Sequence, residues 1–155
     1  MADVAHAGSR PILVVEDSDD DFDTVVEASR RAQVRNRLVH AASADAAREL
    51  LATPRLGPFA FMLLDCSLPT EDGLSFLQEL RREPAHALMP VVVFTASVNP
   101  RDRNAFYAAG ANAYHLKKVR FEEGLATVQA IFDYWLRQAV LPDPRAWQPF
   151  GSTRP

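Results

Sequence analysis

Only one cysteine, Cys66, occurs in the 155 residues, so no internal disulfide can form and a stapled mini-fold is excluded. No apolar run approaches the roughly 18 residues that a membrane span needs, and the polar first ten residues hold no signal-peptide core. These absences lead to the expectation of a cytoplasmic protein with no membrane partner. Positive charge is not clustered: the net charge is −3 and the pI is near 5.8, which argues against a nucleic-acid partner and for a protein one. The EDSDDD run at 16–21 is acidic and has no glycine, so it cannot cradle a phosphate as a nucleotide-binding loop does. His40, His86 and His115 lack metal-ligand spacing, and no internal repeat or low-complexity segment is present. For a chain of this length one domain is expected, able to bury a core without metals or disulfides.

What the chain does have is short apolar runs alternating with helical patterns. The run before Asp65, in FAFMLLDCSLPTEDG (59–73), is flanked by turn formers and reads as a buried central strand. Further strands are expected at 12–15, 38–41, 91–94 and 113–116. Between them, Phe22, Val25, Val26 and Ser29 recur at helical spacing behind an acidic first turn, and Ser43 stands as N-cap before Ala46, Ala47, Leu50 and Leu51. Leu74, Leu77 and Leu80 mark a third helix ending before Pro84, Asn99-Pro100 opens a fourth that ends at Gly110, and Leu125, Val128, Ile131, Phe132 and Trp135 mark a fifth over 121–140. Strands alternating with helices imply an α/β fold, a five-stranded parallel sheet with helices on both faces. The expected organisation is a flexible lead at 1–10, one domain over 11–140 and a C-terminal extension at 141–155.

In such sheets ligands collect at the carboxyl ends of the strands. There the sequence places Glu16 and Asp17, then Asp65, Thr95 and Lys117. Asp65 alone could be a candidate nucleophile or simply the cap of the next turn. Three acids, a hydroxyl and an ammonium on one edge favour chemistry, because clustered carboxylates repel unless a cation joins them, and oxygen ligands with room for water suit Mg²⁺.

The motifs VVED, LLDCSLPTEDG, VVVFTAS and GANAYHLKK together resemble the receiver domains of two-component response regulators over about 11–140. That resemblance implies a flavodoxin-like sheet of order 2-1-3-4-5, with Asp65 as phosphoacceptor and Glu16 and Asp17 as the acidic pair holding Mg²⁺. It also implies Thr95 as the switch hydroxyl, Lys117 as the phosphoryl contact, Tyr114 as the rotating aromatic, and the backbone carbonyl of Ser67 as the last metal ligand. The EDSDDD opening and the DYWLRQAVLPDP ending are most similar to the single-domain regulators of bacterial phytochromes, which implies a histidine kinase partner of that type and a possible downstream phosphotransfer protein. Two departures stand out. Lys118 takes the place of the family's proline after the lysine, where the peptide is usually cis, and Glu16 takes the place of the commoner Asp. A cis bond without proline costs about 3–4 kcal/mol, so either a strained bond is kept or the loop differs.

On this reading the protein is no enzyme beyond its own phosphorylation and dephosphorylation. A haloacid dehalogenase-type phosphatase would need a second acid two residues after Asp65, where Ser67 stands. The rival reading is a receiver-like module that serves only in dimerisation or interaction, against which the set Asp17, Asp65, Thr95 and Lys117 argues. Cys66 reads as a small buried filler. Tyr134, Trp135, Val140 and Leu141 extend beyond what a core of this size should cover, and Pro142 and Pro144 favour an extended tail. A homodimer through the C-terminal end is therefore expected, with Trp147 and Phe150 anchoring each tail on the other subunit.

Overall fold

The strands are too short to stand alone and stay because both of their faces are covered. In the computed structural model, which describes residues 10–147, β1 (Ile12–Val15), β2 (Leu38–Ala41), β3 (Met62–Leu64), β4 (Val91–Thr95) and β5 (Ala113–Leu116) form one parallel sheet of order β2-β1-β3-β4-β5. Alternation along each strand splits the core in two. Leu13, Val15, Met62, Leu64, Val91 and Val93 face Ala47 of α2 (Ala44–Leu51), Phe76, Leu77 and Leu80 of α3 (Gly73–Arg82) and Phe106 of α4 (Pro100–Ala108). Ile12, Val14, Phe61, Leu63, Val92 and Phe94 face Val25 and Ala28 of α1 (Asp19–Arg31) and Leu125, Val128, Ile131 and Phe132 of α5 (Phe121–Asp133). The expected strand order and two-sided cover are those observed.

Helix starts follow the caps. Ser18, Ser43, Asp72 and Asn99 each accept a hydrogen bond from a backbone N–H of the first turn, at 3.3, 3.1, 2.7 and 3.0 Å. Some details depart from the periodicity. Val26 is 40% exposed, because α1 buries the Val25 and Ala28 side while Phe22 stacks flat on His40 with 3.9 Å between ring centroids. The fifth helix does not run regularly through 121–140. It ends at Asp133 and continues as one π turn, Tyr134–Gln138, closed by Ala139 N–H donating to the Tyr134 carbonyl at 2.7 Å.

Residues 139–147 lie along their own domain. Arg10 Nη1 donates to the Pro142 carbonyl at 2.9 Å, and Pro142 and Pro144 close a pocket of ≈140 Å³ over Leu51, Phe59 and Met89 at the amino edge of the sheet. Trp135 and Leu141, expected to project into water, pack on the α5 side of the core, with Trp135 6.4 Å from Phe61; Tyr134 and Val140 remain exposed. The expected anchor Phe150 lies outside the described residues. No helix among the described residues is long and apolar enough to cross a membrane.

Candidate functional site

Backbone pairing carries the strand order one rung past the strands themselves. Glu16 N–H donates to the Ala41 carbonyl at 3.0 Å, Asp65 N–H to Val15 at 3.1 Å and Lys117 N–H to Thr95 at 2.8 Å. The residues that end β1, β3, β4 and β5 are thereby fixed side by side at the carboxyl edge.

Lys117 draws them together. Its Nζ donates to Glu16 Oε2 at 2.7 Å, Asp21 Oδ2 at 2.7 Å and Asp65 Oδ2 at 2.9 Å, which uses all three ammonium protons. Glu16 and Asp65 are 4% and 7% exposed. Burial pushes the Glu16 carboxyl up to about 7, against the hydrogen bonds from Lys117 and from the Ser18 N–H. Burial also opposes the charge on Lys117, but its three carboxylate partners outweigh this and hold the ammonium above its ordinary value. Asp17 is exposed and has no hydrogen-bond or ion-pair partner among the described residues.

Carboxylate oxygens of Glu16, Asp17 and Asp65 all lie within 4.8 Å of one another, a spacing one small cation could bridge. Ser67 is exposed beside them, its N–H donating to Asp65 Oδ1 at 3.3 Å. Thr95 is buried, and its Oγ1 accepts from Ser97 N–H at 3.3 Å. The Ser97 carbonyl in turn accepts from the Tyr114 hydroxyl at 3.0 Å, so a short chain of bonds leads from Thr95 to Tyr114. Tyr114 is half-buried, with its ring centroid 6.2 Å from Phe106 and its hydroxyl 3.9 Å from Cys66 Sγ. Burial pushes both that hydroxyl and the Cys66 thiol up, which keeps the thiol protonated.

Among the described residues Gly57–Pro58 is the sole cis peptide, so the Lys117–Lys118 bond is trans, and Lys118 is exposed. A cleft of ≈590 Å³ opens beside Lys117, lined by acids of α1, by Val119 ahead of α5 and by Phe121 at its start. Sequence reasoning brought together Glu16, Asp17, Asp65, Thr95 and Lys117 but missed two contacts. Asp21 was readable only as a helix-dipole acid. His40, given no role, contacts the Glu16 carbonyl through Nε2 at 2.7 Å; no local signal marks either pairing.

Glu16, Asp65 and Lys117 thus meet at the carboxyl edge of an open parallel sheet, the edge where such folds gather their functional residues. The family model for the response regulator receiver domain matches residues 12–129, and the chain belongs to that family. Response regulator Rcp1 of Synechocystis is 33% identical over 84% of this chain and 92% of its own length. The probable methanogenesis regulatory protein FilR2 of Methanothrix harundinacea is 31% identical over 86% and 88%. Among solved structures, the phosphorylated cyanobacterial phytochrome response regulator RcpA aligns with a TM-score of 0.82 at 28% identity, covering 87% of this chain and 99% of that one. The Mn²⁺-bound form of Rcp1 aligns at 0.79 and 32% identity, covering 86% and 99%.

Proposed function

We propose that this response regulator accepts a phosphoryl group from the phosphohistidine of a partner kinase onto Asp65. The observation that carries the reading is the buried Asp65 carboxylate, held by Lys117 at 2.9 Å at an edge where Glu16 and Asp17 add two more acids. Mg²⁺ held by Glu16, Asp17, Asp65 and the Ser67 backbone carbonyl would supply positive charge beside the transferring oxygens. Asp65 attacks phosphorus in line; the O–P bond of an acyl phosphate forms as the P–N bond breaks and the imidazole leaves. Lys117 releases one of its three carboxylates and turns that N–H toward a phosphoryl oxygen. Beyond its own phosphorylation and dephosphorylation the chain catalyses nothing in this reading.

The switch follows from the bonds already made. A phosphoryl group on Asp65 gives the Thr95 hydroxyl a stronger acceptor. As Thr95 turns to it, the Ser97 N–H loses its partner, and the Ser97 carbonyl that holds Tyr114 moves. Tyr114, packed on Phe106, carries the change to α4 and β5. Likeness to Rcp1 and RcpA supports a bacteriophytochrome-type histidine kinase as partner, and a downstream phosphotransfer protein as a further one. The receiver domain is assigned to 11–140 between a lead at 1–10 and an extension at 141–155, and the setting to the cytoplasm. The exposed Tyr134 and Val140 support a homodimer through the C-terminal end.

Incubation with a small acyl phosphate and Mg²⁺, followed by mass spectrometry, should give one hydroxylamine-sensitive adduct on Asp65 and none in Asp65→Asn. An adduct elsewhere overturns the assignment, and none at all leaves an interaction module that does not use phosphate.

A further inference from the structure

The segment after Asp65 is a small closed loop, 66–73. Gly73 N–H donates to the Cys66 carbonyl at 2.8 Å, Ser67 and Asp72 form an antiparallel bridge, and Glu71 N–H reaches the Pro69 carbonyl at 2.8 Å across a tip where Thr70 has a φ of 63°. Ser67 therefore moves only as this loop moves. On the outer side one side chain pins it: both Glu71 carboxylate oxygens lie 2.7 and 2.8 Å from Arg48 Nη2. Arg48 belongs to α2. Its Nη1 meets Asp45 at 2.8 Å, its Nε meets Glu79 of α3 at 3.1 Å, and its guanidinium lies 5.4 Å above the centre of the Phe76 ring. Arg48 and Glu71 are only 31% and 25% exposed, so their pair is better shielded from water than an ordinary surface pair.

We propose that Arg48 is a positioning residue for the divalent cation, holding the 66–73 loop through Glu71 and with it keeping Ser67 beside Asp65. The inference rests on the metal reading given above. Arg48 is hydrogen-bonded to none of the four ligands. Through space its charge opposes a cation; through the loop it favours one. The two effects have opposite signs, so a metal titration separates them.

Mg²⁺ affinity of the full chain, read by intrinsic fluorescence or calorimetry, is compared for the parent, Arg48→Met, Glu71→Gln, the double variant and Glu79→Gln. Arg48→Met and Glu71→Gln should each weaken binding about tenfold, and the double variant no further than either. Glu79→Gln, which removes another Arg48 partner away from the loop, should lower thermal stability yet change affinity less than about twofold. Tighter or unchanged binding in Arg48→Met overturns the proposal, as does a Glu79→Gln loss equal to that of Glu71→Gln. Should Arg48→Met fail to fold, the contrast between Glu71→Gln and Glu79→Gln decides. A parent that binds no Mg²⁺ overturns the metal reading and this inference with it; a parent that binds while all variants match it overturns this inference alone.

Discussion

Glu16 and Lys117 meet at 2.7 Å with little water around the carboxyl, and burial acts on them in opposite senses. Glu16 is pushed up to about 7 from the ordinary 4.5, so between those pH values the folded chain binds a proton that the unfolded chain has released. Its contribution is therefore fully present below pH 4.5 and is lost as pH rises through 7, a change on the order of 3 kcal/mol. Lys117, held above its ordinary value, stays charged throughout and adds no slope there. Urea midpoints should show the parent losing stability relative to Glu16→Gln between pH 5 and pH 8; parallel profiles would show that Glu16 titrates as a water-exposed acid. Lys117→Ala should still fold and bind Mg²⁺, more tightly than the parent because a competing cation is gone. Its phosphorylated form should fail to shift Tyr114, as read by ring resonances. Normal switching in that variant would move the phosphate contact to Lys118.

Among the elements, β3 and the start of α3 leave the least freedom. A Cβ on Gly73 would stand 2.5 Å from the Asp65 carbonyl oxygen, so Gly73→Ala forces the backbone carrying the acceptor to shift. A cost of about 1–3 kcal/mol and weaker Mg²⁺ binding are expected in thermal melts and titrations, since the strain falls on the site itself. The strands and two of the caps were legible in the sequence because they depend on neighbours: β-branched runs, Ser43, Asn99-Pro100, and the acids that follow β1 and β3. What was not legible depends on residues far apart in the chain. Arg81 reaches the Gly110 carbonyl across 29 positions, Arg48 gathers Glu71 and Glu79 across 23 and 31, and Asp21 meets Lys117 across 96. Periodicity is blind to such partners. The phase of α1 and the π turn at Tyr134–Gln138 escaped for a related reason: packing on the sheet, not spacing along the helix, decided which side chains were covered.

For the whole molecule the open matter is self-association. With Trp135 and Leu141 on the core, the large exposed apolar side chains near the C-terminus are, among the described residues, Tyr134 and Val140, so a dimer would rest on these and on the tail. Light scattering should find a dimer for the full chain and a monomer for a chain cut after Arg137; equal dimerisation of both would place the contact elsewhere. The hydrogen bond from Arg10 to the Pro142 carbonyl has another use. It holds Arg10 beside Pro142 at the edge remote from Asp65, and the exposed turn at 53–55 is a natural place to open the backbone. A circular permutant, its old ends joined by a short linker and its new ones cut at Pro54, should keep the labelling of Asp65, which makes the fold a ready host for insertion into a reporter protein.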